Sequence, residues 1–162
     1  MAIVIPQIVT SDRASGAKHI DGSLAFDPDR QPFLSRKHIP SYTSRRWTWS
    51  GWCKKATIGA YQQLFTGFES GTNQSGIIFM NDDSLKVYSQ GGFSFTVQTH
   101  ARYRDPNGWL HVCAAVDTDA VTNSDRVKLW VNGERITYLV TATYPDRGEK
   151  SYVNTNVQHY IG

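Results

Sequence analysis

Hydrophobic and polar positions alternate along two segments of this chain, residues 47–53 and 109–117. A period of two is the pattern of a β-strand with one buried face. In the first segment the apolar face collects Trp47, Trp49, Gly51 and Cys53. In the second it collects Leu110, Val112, Ala114 and Val116. We predict that both segments are strands, and that the second is central in its sheet because its other face is neither fully apolar nor fully polar.

Residues 127–140 have the pattern of a β-hairpin, with β-rich runs on both sides of Asn132-Gly133. A two-residue Asn-Gly loop favours a type I′ turn, whose twist matches that of the flanking strands. The predicted register pairs Val131 with Glu134, Leu129 with Ile136, Val127 with Tyr138 and Trp130 with Arg135. The last pair predicts a guanidinium stacked on an indole if that face is exposed.

Shorter β-rich runs raise the number of predicted strands to at least seven, and they lie at residues 23–26, 77–80, 85–88 and 93–97. Turn-forming residues separate them, and Asn81-Asp82-Asp83 is interpreted as a hairpin turn. The composition agrees, because a chain of 162 residues with three Glu, seven Lys and two Met holds few strong helix formers. We therefore predict an all-β chain that folds as one antiparallel β-sandwich.

The net charge of +3 is divided unevenly along the chain. Residues 1–60 carry nine Lys or Arg against four Asp, a balance of +5, and residues 61–162 carry eight against ten acids, a balance of −2. The basic residues of the first part are scattered, which favours a solvated surface over a contact with an acidic partner. A nucleic-acid partner needs a concentrated basic stripe, and a membrane span needs about 20 apolar residues in a row. The sequence predicts neither partner.

Residues 1–10 form an apolar segment that Pro6 interrupts, and this segment lacks the basic start of a signal peptide. We therefore expect synthesis in a cytosol, and we divide the chain into an arm, residues 1–10, and a domain, residues 11–162. Leaving the apolar side chains of the arm in water is unfavourable, so we predict that they bind another subunit. They are Ile3, Ile5, Ile8 and Val9. The alternative is a first strand folded onto the chain's own sandwich.

The two cysteines, Cys53 and Cys113, lie in apolar segments without metal-ligand spacing. They are interpreted as buried free thiols, with a disulfide between them as the alternative.

Catalytic chemistry is not predicted. Hydrolysis of a glycan needs two carboxylates at a fixed separation, and the three glutamates, Glu69, Glu134 and Glu149, lie in or beside turn-rich segments. No serine-nucleophile, zinc-protease or phosphate-loop motif is present in the sequence. We therefore expect that the protein is not an enzyme and uses no cofactor.

Metal binding is not predicted either, because the five histidines have no ligand spacing. Loop carboxylates offer calcium as the alternative, and the candidates are Asp117, Asp119 and Asp125 with Asn123. The competing interpretation is that these side chains cap turns.

The predicted ligand-binding residues combine aromatic and basic side chains, and they are Arg102, Tyr103, Arg104 and Trp130. The first three precede an Asp-Pro-Asn-Gly turn, which predicts a surface position. Aromatic residues on mixed faces or near loops could also stack on sugars, and these are Tyr88, Tyr138 and Tyr144. For each aromatic residue the alternative is packing in the core or between strands.

Taken in order, several of these segments resemble the laminin-G-like, concanavalin A-like jelly-roll superfamily. The resemblance covers about residues 20 to 140, and its motifs are Asp21-Gly22-Ser23-Leu24-Ala25-Phe26 with Phe33-Leu34, Trp47-Thr48-Trp49-Ser50-Gly51-Trp52, Gly108-Trp109-Leu110-His111-Val112 ending at Asp117, and Arg126-Val127-Lys128-Leu129-Trp130-Val131-Asn132-Gly133. The resemblance implies a concanavalin A-like jelly roll. It does not choose among lectins, adhesion modules, carbohydrate-binding modules and glycanases.

An opening Ser11-Asp12-Arg13-Ala14-Ser15-Gly16 together with the tryptophan strand is similar to a domain of marine bacteriophage proteins. That resemblance implies a noncatalytic structural protein of a virion, either a fibre-like tail appendage or a capsid decoration, with adhesion to a host glycan as a second role. The implied partners are other virion proteins and further copies of the chain, and the implied location is the virion. The alternative is a free glycan-binding, lectin-like module.

Domains of that type usually continue beyond a stretch like His159-Tyr160-Ile161-Gly162 into further strands. The resemblance therefore implies either a domain that is incomplete at its C-terminus or a sheet edge that another chain covers.

Overall fold

The computed structural model of the chain describes residues 24–26, 33–37, 39, 44–55 and 57–162. The chain divides into two compact units, residues 1–31 and residues 32–162. Of the first unit only residues 24–26 are described, and they form no strand, so the strand predicted at 23–26 is wrong for these three residues. The predicted arm residues Ile3, Ile5, Ile8 and Val9 lie outside the described residues.

The second unit contains eleven strands in its described residues. They are β1 (Leu34–Lys37), β2 (Arg46–Cys53), β3 (Gln62–Ser70), β4 (Asn73–Phe79), β5 (Leu85–Gln90), β6 (Phe95–Thr99), β7 (Leu110–Asp117), β8 (Val127–Val131), β9 (Glu134–Arg135), β10 (Leu139–Thr143) and β11 (Gln158–Ile161). A short 3-10 helix, Asn123–Asp125, precedes β8. In the part of the chain that is described, no helix is long and apolar enough to cross a membrane.

The strands form two antiparallel sheets. One has seven strands in the order β1-β11-β3-β4-β5-β6-β10, and the other has four in the order β2-β7-β8-β9. Strand β7 lies between β2 and β8, which confirms the predicted central position of this strand. The final strand, β11, also lies inside its sheet, paired with both β1 and β3.

The core lies between the two sheets and is built by alternation along their strands. Buried side chains from the seven-stranded sheet are Ile77, Phe79, Leu85, Val87, Phe95 and Val97. Those from the four-stranded sheet are Trp47, Val112, Ala114, Val116, Val127, Leu129 and Val131. The predicted inward faces of the segments 47–53 and 109–117 are thus confirmed, and so is the all-β sandwich.

The Asn132-Gly133 hairpin is confirmed at its turn and wrong further along. Asn132 and Gly133 have φ angles of 52° and 83°, as a type I′ turn requires, and Val131 pairs with Glu134. Strand β9 nevertheless ends at Arg135, and residues 139–143 pair with β6 of the other sheet. The alternation over residues 134–140 therefore comes from two short strands in different sheets, and Tyr138 does not pair with Val127.

Neither predicted contact of the hairpin's outer face forms as a stack. The Arg135 guanidinium lies opposite Trp130 in register, but it is turned toward Asp125, whose carboxylate oxygen is 3.4 Å away. An ion pair thus takes the place of the expected stacking.

The cysteines are free thiols, because β2 and β7 turn them to opposite faces of one sheet. Cys53 is opposite Leu110, whereas Cys113 is opposite Ser50, three positions away in register. The disulfide alternative is therefore excluded by geometry. Burial raises the pKa of the Cys53 thiol to about 11.

Candidate functional site

Three segments meet at one end of the seven-stranded sheet. The turn between β4 and β5 is joined to the segment after β6 by the Tyr103 amide, which donates to the Asp83 carbonyl at 2.9 Å. The segment before β10 is joined to it by the His100 amide, which donates to the Tyr138 carbonyl at 3.2 Å. We call the polar cluster at this junction the arginine rim, and its residues are Asp82, Asp83, His100, Arg102, Arg104 and Tyr138.

The predicted ligand-binding group Arg102, Tyr103 and Arg104 is divided by alternation along the chain. Tyr103 turns inward, where its ring meets the edge of the Phe79 ring at 6.1 Å between centroids and burial raises the pKa of its hydroxyl. The two arginines on either side turn outward, toward Asp82 and Asp83. The structure therefore keeps the arginines at the surface and assigns Tyr103 to packing.

Asp83 anchors the rim from below. Its side chain is 2% exposed and accepts hydrogen bonds from the Gly59 amide at 2.8 Å, from Lys55 Nζ at 2.6 Å and from Arg104 Nε at 3.0 Å. The Gly59 amide first, and then Lys55, hold the pKa of the Asp83 carboxyl well below its ordinary range. Because only Nε of Arg104 meets Asp83, the terminal nitrogens of this 62% exposed side chain face outward.

Arg102 is held by a chain of polar contacts. Its guanidinium donates to the His100 carbonyl at 3.0 Å and lies 3.0 Å from an oxygen of Asp82. The other oxygen of Asp82 accepts from the hydroxyl and the amide of Ser84, and these hydrogen bonds are the first cause that lowers the pKa of Asp82. Ser84 in turn accepts from Gln98 on β6 at 2.8 Å. These contacts fix the direction of the Arg102 side chain.

Tyr138 supplies the exposed aromatic ring of the rim. Its side chain is 70% exposed, and its ring centroid lies 4.3 Å from that of His100 with a tilt of 32°. A large aromatic ring that is both exposed and held by a neighbour offers a preformed stacking surface. Beside two outward guanidinium groups, it gives the rim one apolar plate and several hydrogen-bond donors.

The sequence analysis named Arg102, Arg104 and Tyr138 but missed His100 and treated Asp82 and Asp83 only as turn residues. One signal was available, because two aspartates in succession match two arginines separated by one residue. An extended segment presents alternate residues to the same side, so Arg102 and Arg104 can reach adjacent positions of a turn.

The loop carboxylates considered for calcium are paired with basic side chains. Arg46 lies 3.1 Å from both Asp117 and Asp119, and Lys128 lies 3.3 Å from Asp125. Among the described residues, no group of three or more metal-binding side chains is arranged around a common point. These carboxylates therefore serve ion pairs in the structure.

The glutamates occupy separate structural roles. Glu69 accepts from the Asn73 side chain at 3.0 Å across the turn after β3. Glu149 accepts from the amides of Ser94 and Asp146, and Glu134 belongs to β9. The hydrogen bonds of Glu69 and Glu149 tie turns and loops together.

Trp130, the remaining predicted ligand-binding residue, lies apart from the arginine rim in the four-stranded sheet. It is opposite Cys113 on one side and Arg135 on the other, on the face that points away from the core. Tyr88 and Tyr144 are largely or partly buried, as their packing alternative predicts.

Comparisons with known proteins agree with the architecture. Residues 33–159 match the family described as the concanavalin A-like lectin/glucanases superfamily. Among solved structures, domains LG4-5 of the mouse laminin alpha1 chain are similar at 12% sequence identity and a TM-score of 0.51, over 80% of this chain and 30% of that chain. This chain thus spans less than a third of the laminin fragment, and at that identity the likeness concerns the fold alone. No curated protein matches the sequence.

Proposed function

The chain belongs to the concanavalin A-like lectin/glucanase superfamily, and from this we propose that it is a noncatalytic carbohydrate-binding domain whose arginine rim binds an acidic glycan. The observation that carries the proposal is the pair of outward guanidinium groups, Arg102 and Arg104, set beside the exposed ring of Tyr138. A sugar ring can stack on the tyrosine while its carboxylate or sulfate group accepts hydrogen bonds from the arginines.

Charge supports an acidic ligand. Lys55, Arg102 and Arg104 bring three positive charges to two aspartates, so one positive charge at the rim is unbalanced. Arg104 is the more available of the two arginines, since its side chain is 62% exposed against 33% for Arg102. Charge-assisted hydrogen bonds are stronger than neutral ones, which favours carboxylated or sulfated sugars over neutral ones at this site.

The noncatalytic part of the proposal follows from the placement of the carboxylates. Asp82 and Asp83 both lie in ion pairs with arginines, and their pKa values are lowered, so neither is suited to donate a proton near neutral pH. A general acid in glycan hydrolysis needs the opposite shift.

We further propose the biological setting that the sequence resemblance implies, a structural protein of a bacteriophage virion, in a tail appendage or as a capsid decoration. In that setting the glycan lies on the host surface, and the partners are other virion proteins and further copies of the chain. Isolation in fixed copy number from purified particles supports this setting, whereas its absence from particles supports a free lectin-like module.

The glycan proposal is tested by affinity electrophoresis at 150 mM NaCl in gels that contain polygalacturonate, dextran sulfate or neutral dextran. We expect retardation by the acidic polymers, and a roughly tenfold weaker affinity for the double variant Arg102→Gln, Arg104→Gln and for Tyr138→Ala. Arg147→Gln, which removes an exposed arginine elsewhere, is the matched control. Equal retardation of wild type and rim variants, or none with either acidic polymer, contradicts the proposal.

A further inference from the structure

The outward face of the four-stranded sheet carries a second group of aromatic and polar side chains, on the sheet that the arginine rim does not use. The register of β2, β7, β8 and β9 sets it in rows. We call this surface the tryptophan face, and its residues are Thr48, Ser50, Trp52, His111, Cys113, Trp130 and Arg135.

Trp52 is the most exposed aromatic side chain of this face, at 67%. It is directly opposite His111 on β7, and the two ring centroids lie 5.1 Å apart. His111 is itself fixed, since its ring nitrogen is 2.8 Å from the Ser50 hydroxyl and its amide donates to the Asn132 side chain at 2.9 Å. The indole is therefore supported on one side while its other surface remains open to solvent.

Trp130 lies on the same face, two strands away. It pairs with Cys113, which is two residues along β7 from the partner of Trp52. Two strand spacings and a shift of two residues place the Trp52 and Trp130 backbones about 12 Å apart. One sugar ring does not reach both positions, whereas a short chain of rings does.

The charges of this face are already neutralised. Arg46 is 3.1 Å from Asp117, and Lys128 and Arg135 are 3.3 Å and 3.4 Å from Asp125. Every one of these three cations has a carboxylate partner, so an anionic ligand would have to displace an existing ion pair. The face is therefore matched to an uncharged ligand.

We propose that the tryptophan face binds a neutral glycan chain of at least three sugar rings, stacked on Trp52 and Trp130. Hydroxyl, imidazole and amide groups stand beside the indoles in the same rows, at Ser50, His111 and Asn132. Sugar rings have apolar C–H faces and polar edges, and this combination of stacking plates and hydrogen-bonding groups suits both.

A protein partner fits this surface less well. Cores of protein interfaces are depleted in charged residues and rich in contiguous apolar area. Here the space between Trp52 and Trp130 is occupied by Ser50 and Cys113, and charged pairs border it. Isolated aromatic plates on a flat polar sheet are the feature that separates the glycan from the protein interpretation.

Isothermal titration calorimetry with cellohexaose, xylohexaose and mannohexaose tests the proposal on the full chain. We expect at least one of these neutral hexasaccharides to bind, with an affinity roughly tenfold weaker in Trp52→Ala and in Trp130→Ala. Trp52→Phe, which keeps an aromatic plate, should retain most of the binding. Tyr61→Ala removes a 61% exposed aromatic ring outside both surfaces and is the matched control. Each variant is compared with wild type by circular dichroism and Tm, because both tryptophans project away from the core.

Failure of all three hexasaccharides to bind, or unchanged binding in both tryptophan-to-alanine variants, overturns the inference. Retention of another protein through Trp52 in place of glycan binding also overturns it. The outcome is independent of the arginine rim, since Trp52→Ala should still be retarded by polygalacturonate as wild type is. Loss of polygalacturonate binding in Trp52→Ala with an unchanged Tm would merge the two sites into one and contradict a separate neutral site.

Discussion

Asp83 and Asp125 are two carboxylates that each hold two cations, in opposite surroundings. Asp83, in the turn between β4 and β5, is 2% exposed and meets Lys55 at 2.6 Å and Arg104 at 3.0 Å. Asp125, at the end of the short 3-10 helix, has 41% of its side chain exposed and meets Lys128 at 3.3 Å and Arg135 at 3.4 Å.

Burial gives these similar charge groups different consequences. The side chain of Lys55 is 0% exposed, so without Asp83 its ammonium group would lie unpaired in the protein interior. Lys128 and Arg135 are 32% and 44% exposed, and water can solvate them if Asp125 is removed. The first cluster is therefore a structural support for the arginine rim, and the second is a surface ion pair beside the tryptophan face.

The substitution Asp83→Asn should have the largest effect on stability. It keeps the shape of the side chain, and asparagine accepts the φ of 68° at this position, so the change removes the charge without adding backbone strain. Because it leaves Lys55 buried without a counterion, we expect Tm to fall by about 10 °C or more. Circular dichroism melts at pH 7 measure this. Asp82→Asn, in the same turn but 41% exposed, is the control and should change Tm little. A fall below about 3 °C for Asp83→Asn would show that burial does not decide the effect.

The pH dependence should show the same contrast. The pKa of Asp83 in the folded chain lies below its ordinary value of 3.8, so its contribution to stability is complete above that value and is lost as pH falls below it toward the folded pKa. The difference in Tm between wild type and Asp83→Asn should therefore be constant between pH 7 and pH 5 and shrink below about pH 4. Melts at pH 7, 5, 4 and 3 measure it. A difference that grows on acidification would reverse the assigned sign.

Sequence reasoning succeeded where the determining contacts are local. The type I′ turn depends on Asn132 and Gly133 alone, and alternation placed β2 and β7 correctly because both strands are regular along their length. Strand β3 escaped prediction because its register with β4 shifts twice, between Gln63 and Phe65 and between Phe68 and Ser70. Each shift moves the side chains that follow to the other face and destroys the period of two.

The candidate site was less accessible to sequence reasoning than the fold. The choice of Arg102 and Arg104 came from their surface turn, but the aromatic partner is Tyr138, which reaches them only because the chain leaves the four-stranded sheet after Arg135. Nothing local distinguishes Asp83 from an ordinary turn aspartate, since its burial depends on Lys55, 28 residues away. Long-range packing decides both features.

The smallest effect is expected at the exposed carboxylate. In Asp125→Asn both cations keep access to water, so we expect Tm to change by about 2 °C or less at low salt and not measurably in 1 M NaCl, where exposed charges are screened. The pKa of Asp125 is lowered first by Lys128, the same direction as for Asp83, so the two sites differ in burial and not in sign. The measurement is the same melt at both salt concentrations, with Asp83→Asn alongside, whose loss of Tm should persist in 1 M NaCl because Lys55 is shielded from salt. A loss of Tm in Asp125→Asn that equals that of Asp83→Asn would mean that pairing alone, irrespective of burial, sets the stability of these clusters.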